Sequence, residues 1–210
     1  LLRKFKANGL VFMDGVMFMH HPRLQRLLAA LPTLGTHGPR NVSSAFSFRG
    51  DADFFCDNIR CSASGDPLGC IGDLGWYNVR ASLAVFRYEM PATARCVVHQ
   101  ANNDGVPLHA SCTLTWSQQA GVDVKDADGH PSAPQATRLS TFWCSFLHTE
   151  QQWLHVSGDA GLLELDDFVI AKSKDQADFY KVRYAWGDRA RSIDMHRETI
   201  TVDGNQETLM

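Results

Sequence analysis

The chain divides into two regimes of hydrophobic patterning. In the first, apolar residues recur at helical spacing. Leu24, Leu27, Leu28 and Leu31 in "HPRLQRLLAAL" stand at i, i+3, i+4 and i+7, with Pro22 at a tolerated helix start, so an amphipathic helix is predicted that ends by Pro32 and Gly35. "LLRKFKANGL" reads as a helix tail stopped by Asn8-Gly9, followed by a strand from Leu10. "NVSSAFSF" reads as a strand, and the polar "RGDADFFCDNIRCSASGDPLG" as a loop. A further helix is expected from about Gly72 to just before Pro91. Beyond it the period shortens. "ARCVVHQA", "PLHASCTLTW", "TRLSTFWCSFL", "WLHVSGD", "GLLELDDFVI", "DFYKVRYAW" and "ETITV" all favour strand, with Tyr180, Val182, Tyr184 and Trp186 alternating against Lys181 and Arg183. "DVKDADGHPSAPQ" is a long polar turn between two of them, and "SGDAGLLELDD" a tight turn joining two antiparallel strands. Consecutive strands make a largely antiparallel sheet, with a few helices on one face. The expected class is α+β.

Composition narrows the field. The 210 residues suit one domain of ordinary size, and 44% hydrophobic with 20% charged is a globular balance. A net charge of -3 gives no drive toward nucleic acid or an anionic membrane. No apolar run approaches the ~20 residues of a membrane span; "LVFMDGVMFM" is short and carries Asp14. The six cysteines form no Cys-x-x-Cys pair, and nothing at the N-terminus resembles a signal peptide. They read as reduced, mostly buried thiols of a cytoplasmic protein, and no metal-ligand spacing is seen.

The chemistry concentrates in "GCIGDLGWYNVRASL", where Gly69, Gly72 and Gly75 lead into a helix. A phosphate-cradling loop would need a strand before it and a G-x-G-x-x-G, and neither is present. Asp73 and Tyr77, four apart, fall on one helix face. The pair reads two ways. An acid and a phenol there can orient a substrate hydroxyl and relay its proton, provided a cation tunes the phenol. Equally, Asp73 can serve the helix N-terminus while Tyr77 packs with Leu74 and Ala81. Arg60, in "DNIR", reads as a surface arginine. His20 and His21 read as helix-capping or packed residues.

"ANGLVFMDGVMFMHHPRL", "FSFRGD", "DNIR", "PLGCIGDLGWYNVRASL" and "VSGDAGLLELDDFVI" occur in this order between about residues 3 and 171. Together they resemble the C-terminal part of the glucose–fructose oxidoreductase / inositol dehydrogenase / MocA family, and "GDLGWYNVR" is most similar to its tyrosine-bearing branches. The resemblance implies an oxidoreductase that moves hydride between NADP or NAD and a sugar-like or diol substrate. In the family's glycine–aspartate–glycine–(His/Tyr) motif, Gly69, Ile71, Asp73, Gly75 and Tyr77 fall on matching positions. Cys70 stands where the second glycine of the usual pair lies. Tyr77 thereby takes the proton-transfer role and Asp73 the supporting acid. Arg60, Trp76 and His20 become substrate contacts, and Gly69 and Gly75 lie beside the cofactor. The family's N-terminal Rossmann domain, with its glycine fingerprint and its Glu-Lys-Pro lysine, is not found in these residues. Residues 1–18 resemble only its last helix and strand, and residues 19–210 the substrate and oligomerisation domain. The expectation is a substrate half that is inactive alone and that forms a homo-oligomer, when full length, through its open sheet face. Two other readings stay open: a non-catalytic interaction protein, and a sugar-binding module.

Overall fold

The computed structural model describes residues 1–13, 15–116, 137–173, 175–186 and 193–204. Its centre is an eight-stranded sheet built from β1 (Asn41–Arg49), β2 (Thr93–Ala101), β3 (Pro107–Trp116), β4 (Arg138–Ser145), β5 (Leu147–Ser157), β6 (Leu162–Leu165), β7 (Gln176–Trp186) and β8 (Ile193–Asp203). The order across the sheet is β2-β3-β4-β1-β5-β6-β7-β8. Every neighbouring pair is antiparallel except β1 with β4. The fold is α+β with a mostly antiparallel open sheet, as the patterning predicts. Four α-helices accompany it: α1 (Leu2–Ala7), α2 (Pro22–Ala30), α3 (Ala52–Asp57) and α4 (Trp76–Val85). No helix among the described residues is long and apolar enough to cross a membrane.

Alternation decides which face is covered. On β3, Leu108, Ala110, Cys112, Leu114 and Trp116 are buried, while His109, Ser111, Thr113 and Thr115 lie on the opposite face. The buried face continues through Phe142 and Cys144, Val42 and Phe46, Leu154 and Val156, and Leu163 and Leu165. Helix α4 packs on β1, and α2 lies on β7 and β8. His21 caps α2, its Nδ1 accepting from Arg23 N at 3.0 Å, and Leu24 and Leu27 are buried. Arg23 is also buried. Its guanidinium donates to Asp167 Oδ1, to Asp167 O at 2.8 Å and to Asp178 O at 3.1 Å, while Lys172 N donates to Asp167 Oδ2 at 2.7 Å. This ties α2 to the segment after β6.

Several expectations are corrected. The segment from Leu10 forms no strand; its Leu10, Val11, Phe12 and Met13 are exposed. The polar excursion after β1 contains α3, capped by Asp51, whose carboxylate accepts from Phe54 N at 2.8 Å. Along β7, Ala177, Phe179 and Val182 are buried while Tyr184 is exposed. Cys96 and Cys112 are not free thiols. They sit directly opposite on β2 and β3 and form a disulfide. Register, which spacing along the chain does not reveal, brings them together. Cys56 is exposed; Cys61, Cys70 and Cys144 are buried thiols. The long polar turn at 123–135 lies outside the described residues.

On the uncovered face, His109 lies between His99 and His148. Burial above all, then the positive charge each neighbour can carry, pushes its pKa below the usual 6.5. The unfolded chain therefore binds more protons than the native one below pH ~6.5. The contribution to stability is present above that pH and is lost as pH falls through the lowered value. The melting temperature should drop more steeply between pH 6.5 and 5 in the native sequence than in His109→Gln, read by thermal unfolding in matched buffers. Parallel curves would remove His109 from the pH response.

Candidate functional site

The candidate site forms where the glycine-rich stretch meets the covered face of the sheet. Ile71–Gly75 is a π-helical turn that runs directly into α4. Such wide turns strain the helix and recur at functional positions. Here the glycines let the turn approach the sheet. A Cβ at Gly69, where φ is +50°, would lie 2.3 Å from Pro107 O, and one at Gly75 would lie 3.4 Å from Cys144 Sγ. The space at both glycines, expected beside a cofactor, is filled by β3 and β4.

The turn separates Asp73 from Tyr77 in their contacts. Asp73 leaves the helix N-terminus uncapped and instead faces the short 3-10 turn Ile59–Cys61. Its Oδ1 lies 2.9 Å from Arg60 Nε, with both side chains partly exposed. Arg60 is held at its backbone as well, where Asn58 Oδ1 accepts from Arg60 N at 3.0 Å. Tyr77 packs against the core cluster that includes Leu74 and Ala81, and it also joins an aromatic group. The phenol ring stands edge-on to Phe46 at 5.3 Å and near Phe18 at 6.3 Å, and Phe168 closes the group against both phenylalanines. Phe46 and Phe18 hold the phenol and Phe168 backs them, and none of the three is visible as a site residue in the sequence. Alternation along β1 does mark Phe46 as inward-facing.

Electrostatics follow from this geometry. Burial raises the Tyr77 pKa, Asp73 raises it further, and Arg60 partly offsets both. Tyr77 thus keeps its proton at neutral pH and is poised to donate rather than accept. Beneath Gly75, Cys144 and Cys70 face each other at 3.8 Å. The hydrogen bond between them, then burial, hold Cys144 as a thiol, so this pair is inert packing.

Arg60, Asp73 and Tyr77 are therefore brought together. Trp76 is exposed, as are Leu68 and Ile59. His20 ends the 3-10 turn Met17–His20, two residues after Phe18, and its Nε2 is buried without a hydrogen-bond partner among the described residues. The contacts described for His20 do not join it to Asp73 or Tyr77.

No family model matches this chain. Solved structures do resemble it. KijD10, a 3-ketoreductase from Actinomadura kijaniata in complex with NADP and TDP-benzene, superposes with a TM-score of 0.67 at 19% identity, over 97% of this chain and 53% of its own. An aldose-aldose oxidoreductase from Caulobacter crescentus complexed with glycerol gives 0.65 at 16%, over 98% and 52%. A putative NADPH-dependent oxidoreductase from Desulfitobacterium hafniense gives 0.64 at 12%, over 98% and 53%. The chain thus spans about half the length of the structures it matches, and the likeness is one of fold.

Proposed function

We propose that this chain is the substrate-binding half of an NAD(P)-dependent oxidoreductase of the glucose–fructose oxidoreductase / inositol dehydrogenase / MocA type, acting on a sugar-like or diol substrate. The observation that carries the reading is a protonated, partly buried phenol, Tyr77, packed against two aromatic rings beside an acid–arginine pair. The fold shared with an NADP-complexed 3-ketoreductase and with an aldose-aldose oxidoreductase supports it.

Tyr77 Oη–H donates a proton to the substrate oxygen as a carbonyl carbon is reduced. Asp73, anchored by Arg60, raises the phenol's hold on its proton and stands ready to accept a substrate hydroxyl. The Arg60 side chain, 42% exposed, keeps Nη hydrogens for substrate, and Trp76 offers an apolar wall at the rim. The described residues account for the proton and not for the hydride, which belongs to NADP or NAD held by residues outside this chain. Residues 1–18 then finish that nucleotide domain, and the exposed Leu10–Met13 stretch lies against it. The uncovered sheet face, with Trp143, Trp153, Tyr180 and Tyr184, is the self-association surface of the full-length protein.

The 210-residue chain alone should leave NADPH fluorescence unchanged on mixing, while the full-length protein oxidises NADPH in the presence of a keto-sugar. Micromolar NADPH binding by the chain alone would move the cofactor site onto this half. A full-length protein inert toward keto-sugars and diols would favour the sugar-binding or interaction reading.

A further inference from the structure

Two asparagines hold the short turn that carries Arg60. Asn58 stands at its start, where Oδ1 accepts from Arg60 N at 3.0 Å and from Arg60 Nη1 at 3.5 Å. Asn102 reaches the other end from a distant part of the chain, and its Nδ2 donates to Cys61 O at 2.6 Å. Asn102 opens the loop between β2 and β3, and the same side chain closes that loop. Its Oδ1 accepts from Asp104 N at 3.1 Å and from Val106 N at 2.9 Å. The loop is tied at the backbone as well. Asn102 N donates to Val106 O and Gly105 N to Asn102 O, both at 3.0 Å. We propose that Asn102 is a positioning residue: it fixes the Arg60 turn on the β2–β3 loop and so places Arg60, and with it Asp73, for the substrate. The proposal deepens the oxidoreductase reading and rests on it.

A primary amide can do both tasks because it accepts at one end and donates at the other. Its neighbours fix which way it points. Two N–H groups face Oδ1, and a carbonyl faces Nδ2. Arg60 needs such support. Its Nε donates to Asp73 Oδ1 at 2.9 Å, but both side chains are partly exposed, and an ion pair of that kind orders little by itself. The place of the guanidinium then depends on how firmly its backbone is held.

The hairpin supports the other partner too. A Cβ on Gly69 would meet Pro107 O at 2.3 Å and Val106 Cγ1 at 2.7 Å, so the start of β3 lies directly against the glycine turn that carries Asp73. One rigid element thus touches the turn of the arginine and the turn of the acid. Asn102 is the side chain through which it holds the first.

The test uses Asn102→Asp in the full-length protein. The carboxylate keeps both acceptor bonds of the loop and sets an oxygen, in place of a donor, against Cys61 O. The KM for a keto-sugar should rise about five- to tenfold, with kcat and the KM for NADPH within about twofold of native, because Tyr77 is held by Phe46 and Phe18. In an Arg60→Ala background the same change should raise that KM by less than about twofold, since the residue it acts through is gone. Asn102→Ala, which adds no charge, should raise KM as much as Asn102→Asp. A second readout needs no turnover. In the 210-residue chain, the Arg60 Nε–H resonance, assigned by its loss in Arg60→Lys, should exchange slowly with water and do so several times faster in Asn102→Asp. A full-length protein inert toward keto-sugars overturns the oxidoreductase reading, and the Arg60 resonance then decides the positioning by itself. A keto-sugar KM left native in either variant, an equal rise in the Arg60→Ala background, or an unmoved Arg60 resonance overturns the proposal.

Discussion

Replacing Tyr77 with phenylalanine in the full-length protein should lower the catalytic rate by about 10²-fold or more, the usual size of a general acid's contribution. Cofactor affinity should barely change. The substitution is clean because the ring is held by Phe46 and Phe18, and those edge contacts survive loss of the hydroxyl. What disappears is the proton that burial and Asp73 keep on the phenol at neutral pH. Steady-state kinetics should therefore show the loss in kcat, with KM for the nicotinamide held. The pH profile of the native enzyme adds a second reading. Carbonyl reduction should hold through neutral pH and decline only where the phenol ionises, above its ordinary value of about 10. A rate unchanged in Tyr77→Phe would remove this residue from the mechanism and return it to the packing role that its position in the sequence equally allows.

Asp167→Ala should destabilise the fold by about 3–5 kcal/mol, the cost of stranding one member of a buried ion pair. Arg23 is 2% exposed, and Asp167 supplies both a carboxylate oxygen and a backbone carbonyl to its guanidinium. Removing the carboxylate leaves a cation without water or counter-charge. It also frees Lys172 N. A typical domain holds about 5–15 kcal/mol in all, so the variant stands near the edge of folding. The effect should reach the candidate site, because Asp167 precedes Phe168, and Phe168 packs on Phe18 and Phe46 around Tyr77. Replacing both partners by apolar residues, Arg23→Met with Asp167→Leu, should restore most of the loss, since neither charge is then left alone. Urea midpoints of the two variants provide the comparison. A loss below about 1 kcal/mol in Asp167→Ala would place the pair with surface ion pairs, whose contribution is of that size.

The fold was legible wherever one face of an element is buried along its length. The leucines of α2 and the alternation of β3 announce both type and orientation, because period alone assigns their faces. Legibility failed where register or tertiary contact decides. Asp73 and Tyr77 share a face only if the helix is regular, and the π turn between them gives Asp73 to Arg60 and Tyr77 to Phe46. The glycines were visible as a special feature, but the strands that crowd them were not. In β7 the alternation of Tyr180, Val182 and Tyr184 marks a strand and leaves its buried face open; Ala177, Phe179 and Val182 are buried while Tyr184 meets solvent. Cys96 with Cys112, and His99 with His109 and His148, are products of strand pairing across the sheet. The placement of β1 between β4 and β5, parallel to the first, could not be read from an ordering of strands that are otherwise paired with their neighbours in sequence.

That parallel contact has a consequence for how the protein is made. Strand β1 sits between β4 and β5, and its Asn41 pairs with Leu139 and Ser157. Both partners leave the ribosome about a hundred residues after β1, roughly 5–20 s later at ordinary rates of synthesis. Until then Val42 and Phe46 have no sheet to join, and the aromatic clamp for Tyr77 cannot close. The nascent first half thus exposes these apolar residues until then, and the aromatic group of the site is complete only once Phe168 has been made.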